Sequence, residues 1–572
     1  MRSAVAALVP LFALLTGVGT FATSYSTSKP EVATHVVPKA RVKLAVLVVF
    51  DQLRGDYLDK WRYLFGPDGF VRLETEGAWF TRCHYPYGVT TTGPGHASIL
   101  SGTCPDHHGI VNNEWYEKHQ EVYCAGSDRY QFVPPAAPPK PGEKPKPVGT
   151  PDRLLCETVA DVLKRETGGK VFGLSLKDRS AILPTGKRPD GAYWFTDKFI
   201  TSTYYPNDPQ PWVREFNRSK FVDRWHGKSW DRLRTDIDYA ALSGPDDVKG
   251  EGIGATQEVD KKVVWRQGRT FPHAMNPPTD KAPGSAYYAS LANSPFGNDV
   301  LLEFAKRCIV AEHLGQDDVP DLLVVSFSSN DLIGHAWGPD SQEVFDVTLR
   351  SDALMAEFLG FLDSTVGHGN YVLALTADHG VCPLPEVAAK TRPASRVSGT
   401  RMAQDAEKYL ASRFGPAKWI EKFSPPWFYL NQAVLVNSGR GRDEVSRALA
   451  DYLASRPDVA RAFTADDLLA ASPTDDVATR MRRSYYPTRC GDVCPVLRPY
   501  CIFGDGETGT THGSPWGYDT HVPLLVMGPG VKGGQHSEPT TPQATAAIFS
   551  RFLGVSPPRC AEFPVPATLS GN

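Results

Sequence analysis

Lys43–Phe50 reads KLAVLVVF, and Asp51 follows it at once. The run is short, nearly all apolar and rich in Val and Leu. Strands covered by helices on both faces look like this, because neither side of the pleat meets water. Three more runs have the same character: Asp321–Phe327 (DLLVVSF), Tyr371–Thr376 (YVLALT) and Val522–Met527 (VPLLVM). Helical patterns lie between them, as in Leu154–Glu166 and Val344–Val366. Alternating strands and helices predict an α/β fold, a three-layer sandwich around a mostly parallel central sheet.

The residues after these strands carry the chemistry. Phe50 leads to Asp51, Phe327 leads through Ser-Ser-Asn to Asp331, and Thr376 leads to Ala377, Asp378 and His379. Open α/β sheets hold their ligands just beyond the carboxyl ends of the strands. One Asp in such a place is ordinarily a helix cap or turn former. Three of them, two with a nearby His, predict a shared site. Asp331 and His335 are four apart, on one face of a helical turn. His512, in Thr510-Thr511-His512-Gly513, precedes the last strand.

Mixed Asp/His sets without Cys suit catalytic Zn²⁺. Six ligands exceed what one such ion needs. They divide into Asp331, His335 and His512 on one ion, and Asp51, Asp378 and His379 on a second. Two metals can stabilise both oxygens of an in-line displacement. His84, His107, His108 and His521 lie close by and read as loop or supporting histidines.

Thr90-Thr91-Thr92-Gly93-Pro94-Gly95-His96-Ala97-Ser98 supplies candidate nucleophiles. A threonine hydroxyl attacks well only when a base or metal lowers its pKa. The Gly-Pro-Gly that follows allows close backbone approach and suits a helix start, whose N-terminus favours anions. Lys177 and Arg179, read as an extended pair two residues apart, would point the same way. Arg grips phosphoryl oxygens bidentately and Lys adds a point charge. Asn113 is positioned to donate to a third oxygen, with Asn112 as its competitor.

The ordered set FDQ, TTTGPGHAS, SNDLIGH, ADHG and THG…YDTHVPL resembles the alkaline phosphatase superfamily. It is most similar to the phosphate-irrepressible alkaline phosphatases, which use a threonine nucleophile. The resemblance spans about residues 44–530. It implies Thr92 as nucleophile over Thr90 and Thr91, with Thr92 also touching the zinc held by Asp51, Asp378 and His379. It further implies that Asn113, Lys177 and Arg179 bind the phosphoryl group of a monoester, since the diesterase branch lacks the Lys/Arg pair. A sulfatase would need a C-x-P-x-R segment. Cys382 begins only C-P-L-P-E. The superfamily's mutases use serine.

The expectation is thus an alkaline phosphatase acting on small-molecule phosphate monoesters with two Zn²⁺ per chain. Its rivals are a nucleotide pyrophosphatase/phosphodiesterase of the same superfamily and a non-catalytic secreted metal- or phosphate-binding protein. The net charge of −3 supplies no basic field for nucleic acid.

Arg2 and the apolar stretch Ala4–Val18, with small residues around Ala22–Ser24, read as a secretory signal peptide over residues 1–24. This predicts a periplasmic or secreted protein without stable membrane insertion after signal removal. Residues 25–40 read as a flexible lead-in, 41–560 as the catalytic domain and 561–572 as a tail. Within the domain, 134–149 is a Pro/Lys-rich exposed loop and about 390–500 an insertion subdomain containing the helix Asp443–Ser455. Ten cysteines behind a signal peptide predict disulfides. Cys490, Cys494 and Cys501 are a weaker candidate thiolate metal site.

Overall fold

A computed structural model describes residues 40–135, 146–205 and 209–570. The signal peptide, nearly all of the lead-in and the centre of the Pro-rich segment lie outside the described residues. Ten strands form the central sheet. Their order across it is Gly534–His536, Ala78–Phe80, Leu524–Met527, Tyr371–Thr376, Leu44–Phe50, Asp321–Phe327, Val171–Ser175, Gly191–Phe195, Phe199–Ser202 and Phe132–Val133.

The middle five strands, Tyr371–Thr376 through Gly191–Phe195, run parallel. Every residue of Leu44–Phe50 is fully buried. Burying each such Val or Leu contributes roughly 1.5–3 kcal/mol, which explains the unbroken apolar run. Pairing in register sets Phe50 opposite Phe327 and Val49 opposite Thr376. The three strands therefore end level, and Asp51, Asp331 and Asp378 emerge at one edge.

Helices Thr92–Ser101, Val159–Thr167 and Ala544–Leu553 pack together, as do Pro295–Glu312, Ser329–Trp337 and Gln342–Leu362. With the sheet between them they complete the three-layer sandwich. Among the described residues no helix is long and apolar enough to cross a membrane.

Several boundaries differ from expectation. The last apolar run forms a strand only over Leu524–Met527, after Pro523, and runs antiparallel to Tyr371–Thr376. Burial on both faces makes a run apolar whichever way it points, so direction is not encoded there. The helix sought from Leu154 begins at Val159, where the Asp161 carboxylate accepts from Thr158 N at 3.0 Å and caps it. Gln342–Leu362 continues as a π turn over Asp363–Gly367.

Within 395–503 a separate four-stranded sheet (Ile420–Ser424, Trp427–Leu430, Val493–Leu497, Val459–Thr464) packs on helices Gly399–Phe414 and Arg442–Ala454 with its own apolar core. Near the C-terminus, Leu569 joins the main core, so residues 561–570 are docked. One disulfide, Cys156–Cys560, ties this end down, while the other eight cysteines are free and buried. Cys490, Cys494 and Cys501 do not converge on a metal-sized site among the described residues.

Candidate active site

The first strand ends in Asp51, and the next residue, Gln52, adopts a left-handed φ of 70°. That turn lets Gln52 N donate to Asp378 Oδ1 at 3.1 Å and Gln52 Nε2 donate to Asp331 Oδ1 at 2.6 Å. Helix Ser329–Trp337 presents Asp331 and His335 one turn apart, with His335 Nε2 3.2 Å from Asp331 Oδ1. His512 Nε2 lies 3.7 Å from the same oxygen. His379 Nε2 lies 3.5 Å from Asp51 Oδ1 and 3.3 Å from Asp378 Oδ2.

The three imidazoles share one arrangement. Nδ1 of His335, His379 and His512 meets the backbone carbonyl of Thr510, Gly380 and Thr90 respectively, at 2.7–2.9 Å. A Nδ1–H held this way leaves the Nε2 lone pair facing the carboxylates, as a metal ligand requires. Asp51 Oδ1 and Asp378 Oδ2 are buried and, among the described residues, have only imidazole nitrogens at 3.2–3.5 Å and no hydrogen bond. Native proteins leave such atoms unpaired rarely, and a cation satisfies them. The donor set therefore fits metal ions.

Two tight triads are present: Asp331, His335 and His512, and Asp51, Asp331 and His379, each with ligand atoms within 4.8 Å of one another. The sequence division put Asp378, not Asp331, with Asp51 and His379. Asp378 Oδ2 lies 3.3 Å from His379 Nε2, beside that second triad, and 3.2 Å from His96 Nδ1. A third triad, Cys104, Asp106 and Glu562, already meets Arg482 and Arg483, so its charge is spent within the protein.

Lys177 lies among the carboxylates. Its Nζ is 2.7 Å from Asp51 Oδ2 and bonds Asp331 Oδ2 as well, and its side chain is only 11% exposed. One lysine does not balance three buried carboxylates. Burial, Asp331 and Asp378 push the Asp51 carboxyl well above its usual range. Burial also opposes charge on Asp331, but His335 and Lys177 outweigh it and hold that group well below the ordinary value. Burial and the two other imidazoles push His512 well below a normal histidine. Each displacement has a physical cause in charges crowded out of water.

Thr92 opens helix Thr92–Ser101, with Thr91 as N-cap. Its Oγ1 is 3.4 Å from His379 Nε2 and 3.5 Å from Arg179 Nη2. The other two hydroxyls point elsewhere: Thr90 donates to Ser514 O at 3.0 Å and Thr91 to Asn112 Oδ1 at 2.9 Å. Gly95 allows the helix to seat here, because a Cβ would lie 2.3 Å from the Asp378 carbonyl oxygen. Asn113 Oδ1 accepts from Gly93 N at 2.7 Å, fixing its amide at the helix start. Asn112 is committed otherwise, its Nδ2 donating to Pro425 O at 2.9 Å.

Lys177 and Arg179 both reach the site, but not from an extended segment. Lys177 is the N-cap of helix Asp178–Ile182, and Arg179 stands in its first turn. Sequence reasoning passed over Gln52 and His96. His96 is four residues beyond Thr92, on the same helix face, and that spacing was the available signal. Its Nε2 meets Ser326 Oγ at 2.8 Å.

The family model for type I phosphodiesterase / nucleotide pyrophosphatase matches residues 45–515. Alkaline phosphatase PafA of Elizabethkingia meningoseptica is 33% identical over 536 residues, covering 92% of this chain and 93% of its own. A protein of Myroides odoratus named calcium-transporting ATPase is 34% identical over 90% of this chain and 92% of its own. Alkaline phosphatase PhoV of Synechococcus elongatus is 31% identical over 91% of each. The crystal structure of PafA superimposes with a TM-score of 0.83, covering 93% of this chain and 99% of PafA. PafA has also been solved with a threonine, an asparagine, a lysine and an arginine replaced together. Those four come in the same order as Thr92, Asn113, Lys177 and Arg179, with the same first and last intervals, 21 and 2 residues, and a middle interval of 64 in place of 62.

The chain belongs to the type I phosphodiesterase / nucleotide pyrophosphatase family, within the alkaline phosphatase superfamily. It is an enzyme of that superfamily, and several of its relatives, 26–33% identical over most of the chain, are alkaline phosphatases.

Proposed function

We propose that this chain is an exported, two-zinc alkaline phosphatase that hydrolyses phosphate monoesters through a phosphothreonine at Thr92. Asp331, His335 and His512 would hold one zinc, and Asp51, Asp378 and His379, with Thr92, the other. Zinc bound there would supply charge for the departing oxygen and lower the pKa of an adjacent hydroxyl.

The reading rests on one observation above all: Thr92 Oγ1 stands at a helix N-terminus within 3.5 Å of both His379 and Arg179. Thr92 attacks phosphorus in line, the P–O bond to the alcohol breaks, and the alcohol leaves. Water then cleaves the phosphothreonine and frees phosphate. Arg179, Lys177 and Asn113 bind the charge spread over the phosphoryl oxygens. A monoester carries about one more negative charge than a diester, and the Lys/Arg pair meets it. Export is supported by the N-terminal apolar stretch and the Cys156–Cys560 disulfide.

The test compares an aryl phosphate monoester with its bis-aryl diester on protein assayed for metal. Faster monoester hydrolysis with about two zinc per chain is expected. Faster diester hydrolysis would assign the chain to the phosphodiesterase branch. Bound zinc without turnover would make it a binding protein.

A further inference from the structure

We propose that the cavity beside the Thr92 site is the pocket for the leaving group, and that it selects uncharged aryl or alkyl alcohols. This rests on the phosphomonoesterase reading above and names the substrate class of that site.

The cavity has a volume of about 300 Å³. At one end it is bordered by Thr91, Asn112 and His512. Thr91 and Asn112 are hydrogen-bonded to each other and adjoin Thr92 and Asn113 in sequence. His512 belongs to the triad built on His335 and Asp331, whereas Thr92 touches His379. In an in-line displacement the leaving oxygen departs on the side away from the attacking one. In the proposed reaction the alcohol leaves on the His512 side, where the cavity begins.

The walls come largely from the inserted segment. Pro425, Val496, Leu497, Ile502 and Phe503 line the cavity, together with Met481 from helix Asp476–Arg483. These side chains offer dispersion and water exclusion, and no directional contacts. No lysine or arginine is among the described lining residues. The one carboxylate, Asp519, already accepts from Ser514 N and Oγ. A leaving group bearing further phosphate or carboxylate would meet apolar walls and the Asp519 carboxyl, with no lysine or arginine among the described lining residues to pair with it. Apolar area realised in the transition state raises kcat/KM directly.

The experiment uses the full, zinc-replete protein. kcat/KM is measured for n-alkyl phosphates from methyl to hexyl, whose alcohols differ little in acidity beyond the first members. Glycerol phosphate and a nucleoside diphosphate serve as polar and anionic comparators. The expected result is a rise of about fourfold per methylene until the cavity fills, with both comparators below the alkyl ester of similar length. Phe503→Ala should lower the hexyl-to-methyl ratio at least about fivefold. A series flat within about twofold, or preference for the nucleoside diphosphate, overturns the pocket whether or not the variant folds. Failure to hydrolyse any monoester, methyl phosphate included, overturns the phosphatase reading itself and the pocket with it.

Discussion

Arg179→Ala separates a phosphate-gripping arginine from one that merely sits nearby. Arg179 Nη2 is 3.5 Å from Thr92 Oγ1, Nη1 is 3.3 Å from the Tyr123 hydroxyl, and Nε has no hydrogen-bond partner. Two donors of the fork are thus available to a phosphoryl group placed at Thr92. A hydrogen bond to a charged group contributes roughly 1.5–3 kcal/mol. Losing a bidentate pair should raise the barrier by about 3–4 kcal/mol, a fall of roughly 10²–10³-fold in kcat/KM for a monoester. A diester has one of these oxygens esterified and should lose only about tenfold. The assay measures kcat/KM for phenyl phosphate and methyl phenyl phosphate, with zinc content and Tm as controls. Tyr123 keeps its bond to Asp178, so the local fold retains an anchor. Equal losses on both substrates, or losses under about twofold on the monoester, would refute the reasoning.

Gly95→Ala drives a methyl group against the Asp378 carbonyl, 2.3 Å away, and should cost zinc and at least about 100-fold in activity, read by metal analysis and kinetics. Burial and Glu343 lift the Glu251 carboxyl to about 8. A carboxyl raised in the folded state loses stability as pH climbs from the ordinary carboxylate range through its folded value. Glu251→Gln keeps an acceptor for Val248 N and should match wild-type Tm near pH 5 but exceed it near pH 9, checked by thermal melts. Cys156–Cys560 closes a span of 404 residues. Removing it should cost up to about 5 kcal/mol of stability. Thiol titration of denatured, unreduced protein should count eight free cysteines.

The strand–carboxylate pattern is readable from sequence because burial on both faces forces an apolar run, and a terminal Asp breaks it visibly. Asp331 and His335 are readable because helical spacing puts them on one face. Features that depend on distant contacts left no local trace. The left-handed turn at Gln52 goes with two long-range bonds, its side-chain Nε2 to Asp331 and its backbone N–H to Asp378, 279 and 326 residues away. Asp378 meets Gln52 and His96 as well as its neighbour His379, contacts no local pattern announces. The direction of Leu524–Met527 and the pairing of Cys156 with Cys560 are equally long-range. So is the cavity, whose walls and catalytic border come together only when the inserted segment docks.

In the proposed reaction Thr92 carries the phosphoryl group. Enzyme mixed with a fast monoester, quenched in acid and digested should yield a phosphorylated peptide spanning residues 90–98, with the label on Thr92. Thr92→Ala should show no label and lose at least about 10³-fold in turnover. Label on Thr90 or Thr91, or full turnover by Thr92→Ala, would rule out Thr92 as the nucleophile.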